Sequence, residues 1–230
     1  MEVQTVKPVV IIDLPSVVPA PTVAERAADV IRDGIFEGRF HPGAALPESA
    51  LAKALGVSRN TVREAFRTLM GEHLLTYEPH RGVAVRSLNA DDVRDIYRLR
   101  RMHEVAAIDL LRDGGAIVDA ARLRTAATVG RTAADRDDWS AAGTANLQFH
   151  AEIVALHGSP RLDEFFRRLM TEMRLGFLAL PDAGAFHAPY VERNGTLCDD
   201  LLAGRFAKAR TALRAYLDDA TTQVVAAVAG

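Results

Sequence analysis

Two runs of helical periodicity separated by only Gly56, Val57 and Ser58 constrain this fold more than any other feature of the sequence. The first run extends from about Pro47 to Leu55, with the proline suited to a first helical position. Gly56 ends it, because glycine tolerates the left-handed backbone of a helix C-terminus. Ser58 then offers its hydroxyl as the N-cap of a second helix. In the stretch "LGVSRNTVREAFRTLM", the apolar residues Val62, Ala65, Phe66, Leu69 and Met70 form one packed helical face. Arg59, Arg63 and Arg67 lie four apart and stack along another face, and Glu64 is the only acid in the stretch. No matching line of carboxylates accompanies that stripe.

The surroundings narrow the reading. Thr22 is a cap for a preceding helix to about Gly38, with Val23, Ala27, Val30, Ile31 and Ile35 on one face. Downstream, "LLTYEP" and "VAVRS" have strand composition and flank "HRG", where Gly82 permits a tight turn. Three helices and a hairpin between residues 22 and 88 are the layout of a winged helix-turn-helix. The second helix of that motif enters the DNA major groove with its N-terminal residues nearest the base edges. Ser58, Arg59, Asn60, Thr61 and Arg63 are then the expected base or phosphate contacts, and His80, Arg81 and Gly82 form a wing tip over groove or backbone. Taken alone, the same helix could be an exposed amphipathic helix with solvated arginines.

Net charge is −2, so any anion binding must come from local arrangement rather than overall basicity. Apolar runs are interrupted well before the roughly 18 residues of a membrane span, and the early run "PVVIIDLPSVV" is broken by Asp13 and Pro15. Residues 1–21 carry four prolines and no helical period, the pattern of an arm. The single cysteine, Cys198, excludes an intrachain disulfide framework and fits a reducing cytoplasm. From Asn89 to Gly230 only helical periodicity is present, starting with "DDVRDIYRLRRMHEVAAIDLL" and continuing near 117–134, 138–157, 160–179, 188–203 and 206–228. Gly114–Gly115, Gly158–Ser159–Pro160 and "LPDAGAFHAP" punctuate these stretches. The expected fold is mainly α: the winged motif, then an all-helical bundle over 89–230.

The run "VIRDGIFEGRFHPGAALPESALAKALGVSRNTVREAFRTLMGEHLLTYEPHRGVAV" closely resembles the DNA-binding domain of GntR-family bacterial transcription regulators. The matching features are "GRFHPG", "LPESALAKALGVSR", "VREAF" and "HRGVAV". Asn60 and Thr61 stand where many relatives carry Thr and Pro. The second half resembles the helical effector domain of the FadR-type branch, with Arg100 and Glu104 at recurrent positions. The resemblance implies a homodimer, held through 89–230, that binds an inverted-repeat operator and is commonly a repressor. It also implies a small-molecule effector, often an organic acid.

Many such domains hold a divalent metal through one aspartate and three histidines. Here Asn146, His150, Asn194 and Tyr216 take those positions, so one of four ligands remains and no cofactor is expected. Binding of a divalent ion through His150 is the lesser alternative. Tyr216, on the face of Phe206, Leu213, Leu217 and Ala220, reads equally as a packed core residue. His150 beside Phe149 and Ile153 likewise reads as a core histidine. The five residues Arg100, Asn146, His150, Asn194 and Tyr216 are the expected effector contacts. Arg100 needs an anion, and either Glu104 or a ligand carboxylate could provide it. Two rival functions are a helical metal-dependent enzyme using His150 and His157, and a winged-helix module that binds protein.

Overall fold

The computed structural model describes residues 21–116 and 119–229. Helix α1 (Val23–Phe36) starts at a reciprocal capping box: Thr22 accepts from the Glu25 amide, and the Glu25 carboxylate accepts from the Thr22 amide. Helices α2 (Glu48–Leu55) and α3 (Arg59–Gly71) are joined through Gly56, whose φ of +66° lies in the left-handed region. Ser58 caps α3 by accepting from the Thr61 amide at 3.0 Å. Val62, Ala65, Phe66 and Leu69 are buried against α1, as their spacing requires.

Strands β1 (Leu75–Glu78) and β2 (Gly82–Val85) pair antiparallel, with Leu75 opposite Val85 and Glu78 opposite Gly82. The segment between α1 and α2 does more than connect them. Its Leu46 amide donates to the Val83 carbonyl, and the Val85 amide donates to Ala44, so it lies along β2 as a short third line. That pairing anchors the wing to the start of α2.

Six helices follow: α4 (Ala90–Arg112), α5 (Ala120–Ala134), α6 (Trp139–Ala155), α7 (Pro160–Leu178), α8 (Ala183–Leu202) and α9 (Phe206–Val228). Asn89 starts α4 with a second capping box, closed by Asp92. In the bundle, α4 packs along α9, α5 along α6, and α8 against α5, α6 and α9. α7 also reaches α1, and one continuous apolar core runs from Ala27 to Val224. The molecule is mainly helical, a winged helix-turn-helix followed by an all-helical bundle.

Three sequence expectations need correction or restriction. Pro47 is the N-cap of α2 rather than its first helical residue. The stretch "LPDAGAFHAP" does not separate two helices: α8 already begins at Ala183, with Asp182 accepting from the Ala185 amide at 2.8 Å. Pro189 therefore lies inside α8, where burial of Phe186, His187 and Tyr190 outweighs the helix bond it removes. The arm read over residues 1–21 falls, except for Pro21, outside the described residues, as does the start of the helix read at 117–134.

The winged unit is cross-braced by Arg32 on α1. Its guanidinium donates twice to Glu72 at the end of α3, at 2.7 and 2.8 Å, and both side chains are largely buried. The exposed Asp29 also accepts from Arg32 Nη1, at 2.5 Å, so removing Glu72 leaves the cation only partly paired. Glu72→Ala should destabilise the protein by about 2 kcal/mol, less than the cost of a fully orphaned buried ion. Urea unfolding followed by circular dichroism measures it, and a change below the error of the fit would refute the brace.

Candidate nucleic-acid interface and ligand pocket

Arg59, Asn60 and Arg63 project from the first turns of α3 and are exposed. Among the described residues no carboxylate lies within salt-bridge distance of Arg59 or Arg67. Arg63 differs: its Nε lies 2.8 Å from Glu48 Oε2 on α2. The stripe is thus not wholly unpaired, because the acid comes from the neighbouring helix rather than from α3. Ser58 and Thr61 turn toward each other, with hydroxyl oxygens 2.8 Å apart, and Asn60 donates to Glu64 at 3.0 Å.

At the wing tip His80 has φ +68° and Gly82 φ +85°, while Arg81 pairs loosely with Glu78 and remains 80% exposed. A groove of about 360 Å³ separates this tip from the starts of α2 and α3. Glu48, Arg59, Tyr77, Arg81 and Gly82 border it. Tyr77 and Glu48 were not among the expected contacts. Tyr77 had a detectable signal, since it is a large aromatic in a short wing strand, and its side is 64% exposed.

The expected effector residues occupy the interior of the bundle. Arg100 and Glu104 of α4 and His150 of α6 are fully buried. Arg100 Nε donates to Glu104 Oε1 at 2.8 Å, and His150 Nδ1 lies 2.6 Å from Glu104 Oε2. Burial raises the Glu104 pKa, but the charge of Arg100 and the His150 contact outweigh it, leaving the carboxyl below its ordinary value. Burial pushes His150 down, with Glu104 opposing only in part.

Asn146 Nδ2 donates to the Tyr216 hydroxyl at 2.5 Å, and the Tyr216 ring lies 4.8 Å from that of His150. Four expected residues, Arg100, His150, Asn146 and Tyr216, thus form one connected cluster with Glu104. Asn194 is buried on α8, one turn beyond Tyr190, whose ring lies 4.7 Å from Tyr216. Of the two anions weighed for Arg100, Glu104 is the one present, and it takes only Nε. Arg100 Nη1 and Nη2, Asn146 Oδ1, His150 Nε2, Asn194 Oδ1 and Tyr97 Oη are buried and have no hydrogen-bond partner among the described residues. So many orphaned polar atoms in one region are costly unless something else satisfies them.

A second buried cluster joins the two halves. Arg174 of α7 donates to the Phe36 carbonyl at the end of α1, at 3.0 Å, and to Ser140 Oγ of α6 at 2.9 Å. His187 of α8 is also buried there, and burial, reinforced by the charge of Arg174, pushes its pKa down to about 3. Gly143 makes the space: a Cβ there would lie 2.7 Å from His187 Nε2 and 2.9 Å from Arg174 Nη1. None of these residues stood out in the sequence, where an isolated Arg in a helical period reads as surface.

A winged reader braced to a helical bundle with a polar interior is the architecture of a bacterial transcription regulator. Residues 23–85 match the pattern described as bacterial regulatory proteins, gntR family, and residues 95–219 match the FCD domain. The chain belongs to the GntR family, in the branch that carries an FCD domain.

Among its relatives, the HTH-type transcriptional regulator YdhC of Bacillus subtilis is 43% identical over 79 residues, 34% of this chain and about a third (35%) of that protein. A regulator from the TAR-I ttuE-ttuC' intergenic region of Agrobacterium vitis is 33% identical over 56% of this chain and 77% of its own length. The crystal structure of a GntR transcriptional regulator from Rhodococcus sp. RHA1 superposes with TM-score 0.83 at 38% identity, covering 88% of this chain and 97% of that one. These relatives are regulators, not enzymes, which overturns neither half of the sequence reading and removes the enzyme alternative. His157 is accounted for locally, with Nε2 2.9 Å from the His103 carbonyl.

His187 gives the fold a pH dependence. The unfolded chain protonates it near its ordinary 6.5, whereas the folded chain keeps it neutral down to about 3. Stability is therefore full above the ordinary value and falls as acid is added, by about 1.4 kcal/mol per pH unit for one proton. His150 adds a loss of the same sign. Urea midpoints measured between pH 7.5 and 4.5 should fall less steeply for His187→Gln than for the wild type. Parallel slopes would show that His187 does not resist protonation.

Proposed function

We propose that this chain is a dimeric, sequence-specific DNA-binding regulator of the cytoplasm, usually repressing, whose operator affinity responds to a small hydroxylated organic acid. DNA reading rests on the exposed start of α3. Ser58, Arg59, Asn60, Thr61 and Arg63 face a major groove, and His80, Arg81 and Gly82 lie over the flanking backbone or groove. A single reader makes few base contacts, so two readers on an inverted repeat are required. The family relation and the relatives named as repressors support this reading.

The observation that carries the effector reading is the fork of Arg100: two buried guanidinium nitrogens with no acceptor in hydrogen-bond geometry among the described residues. A carboxylate accepts such a fork in two parallel bonds. The remaining orphans ask for hydroxyl groups. Asn146 Oδ1 and Asn194 Oδ1 accept, and His150 Nε2 accepts when its Nδ1 proton faces Glu104. Tyr216 connects this cluster to the surface, since it also borders a groove of about 230 Å³ between α8 and α9. An effector held between α4, α6, α8 and α9 would favour one placement of the two readers over another, a population shift set by its differential affinity.

FCD domains can bind metals, but this donor set does not fit a divalent ion. Both oxygens of Glu104 are taken by Arg100 and His150, and what remains is one imidazole nitrogen with neutral amide and phenol oxygens. That set lacks the anion and most nitrogen donors that offset dehydration of the ion. No step is assigned to a metal.

The test uses gluconate and tartrate, with uncharged sorbitol as the control. Hydroxy acids should raise the melting temperature and alter retention of an operator selected by the wild type from random duplexes. Arg100→Met should lose that response while melting as a folded protein. If no hydroxy acid in a wider panel binds, or if Arg100→Met responds like the wild type, the acid reading fails. Assembly is checked by equilibrium sedimentation of the full chain, where twice 24.9 kDa is expected at micromolar concentration. A strict monomer would contradict the two-reader mechanism.

A further inference from the structure

Glu48 is an acid on a surface that, on the DNA-binding reading above, must approach phosphates. It stands at the first turn of α2, in the groove shared with Arg59, Tyr77 and Arg81. A carboxylate there repels the DNA backbone, so its presence needs a compensating gain. Among the described residues its only ion-pair partner is Arg63, through Nε at 2.8 Å. As an exposed ion pair, with Arg63 57% and Glu48 33% accessible, it contributes little to folding.

The geometry of the pair supplies the gain. A guanidinium is planar, with five N–H groups in a fixed fork, so holding Nε fixes the direction of the other two nitrogens. Nε and the terminal fork lie on different edges of the plane. With Glu48 on the first edge, Nη1 and Nη2 stay free to donate in parallel to the O6 and N7 of a guanine. The side chain then enters the groove already oriented and loses less rotamer freedom on binding.

Glu48 is itself held in place. The fixed backbone of Pro47 sets the start of α2, and the Leu46 amide is bonded to Val83 of the wing. Arg59, which borders the same groove, has no carboxylate within salt-bridge distance among the described residues. We infer that Glu48 is a positioning residue: it orients Arg63 for base reading, so Arg63 carries sequence discrimination while Arg59 remains free to follow the phosphates.

This inference rests on the DNA-binding reading but makes a prediction that reading alone does not. Removing an acid near DNA should by itself tighten binding to any duplex. If Glu48 positions Arg63, Glu48→Gln should instead weaken binding to the selected operator by about tenfold, the scale of one lost bidentate base contact. Binding to an unrelated duplex should be unchanged or tighter, so the specificity ratio collapses. In an Arg63→Ala background the same substitution should no longer weaken operator binding, and the charge-retaining Glu48→Asp should restore part of the wild-type ratio.

Fluorescence anisotropy with both duplexes at two salt concentrations reads the wild type and all four variants, and equal melting temperatures exclude misfolding as the cause. The proposal is overturned if Glu48→Gln tightens both duplexes equally, since the acid then only repels. It is also overturned if Glu48→Gln weakens the operator as much without Arg63 as with it, since Glu48 then acts alone. Failure of the DNA reading looks different: neither Arg59→Ala nor Arg63→Ala would change operator affinity, or the wild type would select no sequence.

Discussion

A buried guanidinium with no carboxylate partner among the described residues holds the two halves of this molecule in register. Arg174 is 2% exposed, and its acceptors are the Phe36 carbonyl and the carbonyl and hydroxyl of Ser140. Burial drives its pKa down to about 10, with Asp138 opposing, so it stays a cation at neutral pH. The negative end of α1 supplies what a carboxylate otherwise would, because the last carbonyls of a helix carry partial negative charge. Gly38, at φ +80°, turns the chain just past that end, where a side chain would crowd Arg174 Nη2. The orientation of α1, and with it the whole winged unit, is thus set from α7 and α6 of the bundle. A surface ion pair tolerates many geometries; a buried cation with three fixed acceptors tolerates few.

That arrangement gives α6 two roles. Ser140, Gly143 and Thr144 lie at the junction, and Asn146 and His150 lie in the polar cluster one to two turns along the same helix. A helix is stiff over that length, so on the proposed reading a ligand that shifts Asn146 and His150 also shifts Ser140 against Arg174. α7 contributes a second tie, since Glu172 accepts from Arg86, which also donates to Asp92 at the start of α4. Burial raises the Glu172 pKa against the pull of Arg86. Two coupled contacts on one pair of helices make a discrete change of packing a more natural response than a graded bend.

Much of this was legible because local physics and long-range packing agree over residues 22–89. The Thr22, Ser58 and Asn89 caps, the left-handed Gly56 and the apolar face of α3 are all short-range signals, and the structure uses each as written. α8 was misread because Pro189 and Gly184 are local breakers, whereas the buried face that overrides them depends on α5, α6 and α9. The polar cluster was legible only as separate residues. Asn146 and His150 share a helix face by spacing, but the contact with Tyr216 spans 70 positions and no period announces it. Glu48 and Arg174 were invisible for the same reason: each acts on a residue of another helix.

The substituted ligand positions are better understood as a change of chemistry than as simple loss. A carboxylate and three imidazoles facing one point require a cation. Asn146, Asn194 and Tyr216 carry no charge, and the one acid nearby, Glu104, is already neutralised by Arg100. The cluster therefore has no net charge to attract a metal, yet it keeps a dense set of unpaired donors and acceptors. Hydrogen-bonding groups of mixed sign, held on stiff helices, discriminate by geometry: a ligand lacking one hydroxyl leaves a buried group unpaired, and that cost falls on the wrong ligand rather than the right one. On the proposed reading, selectivity among small hydroxylated acids would come from this geometry without any ion.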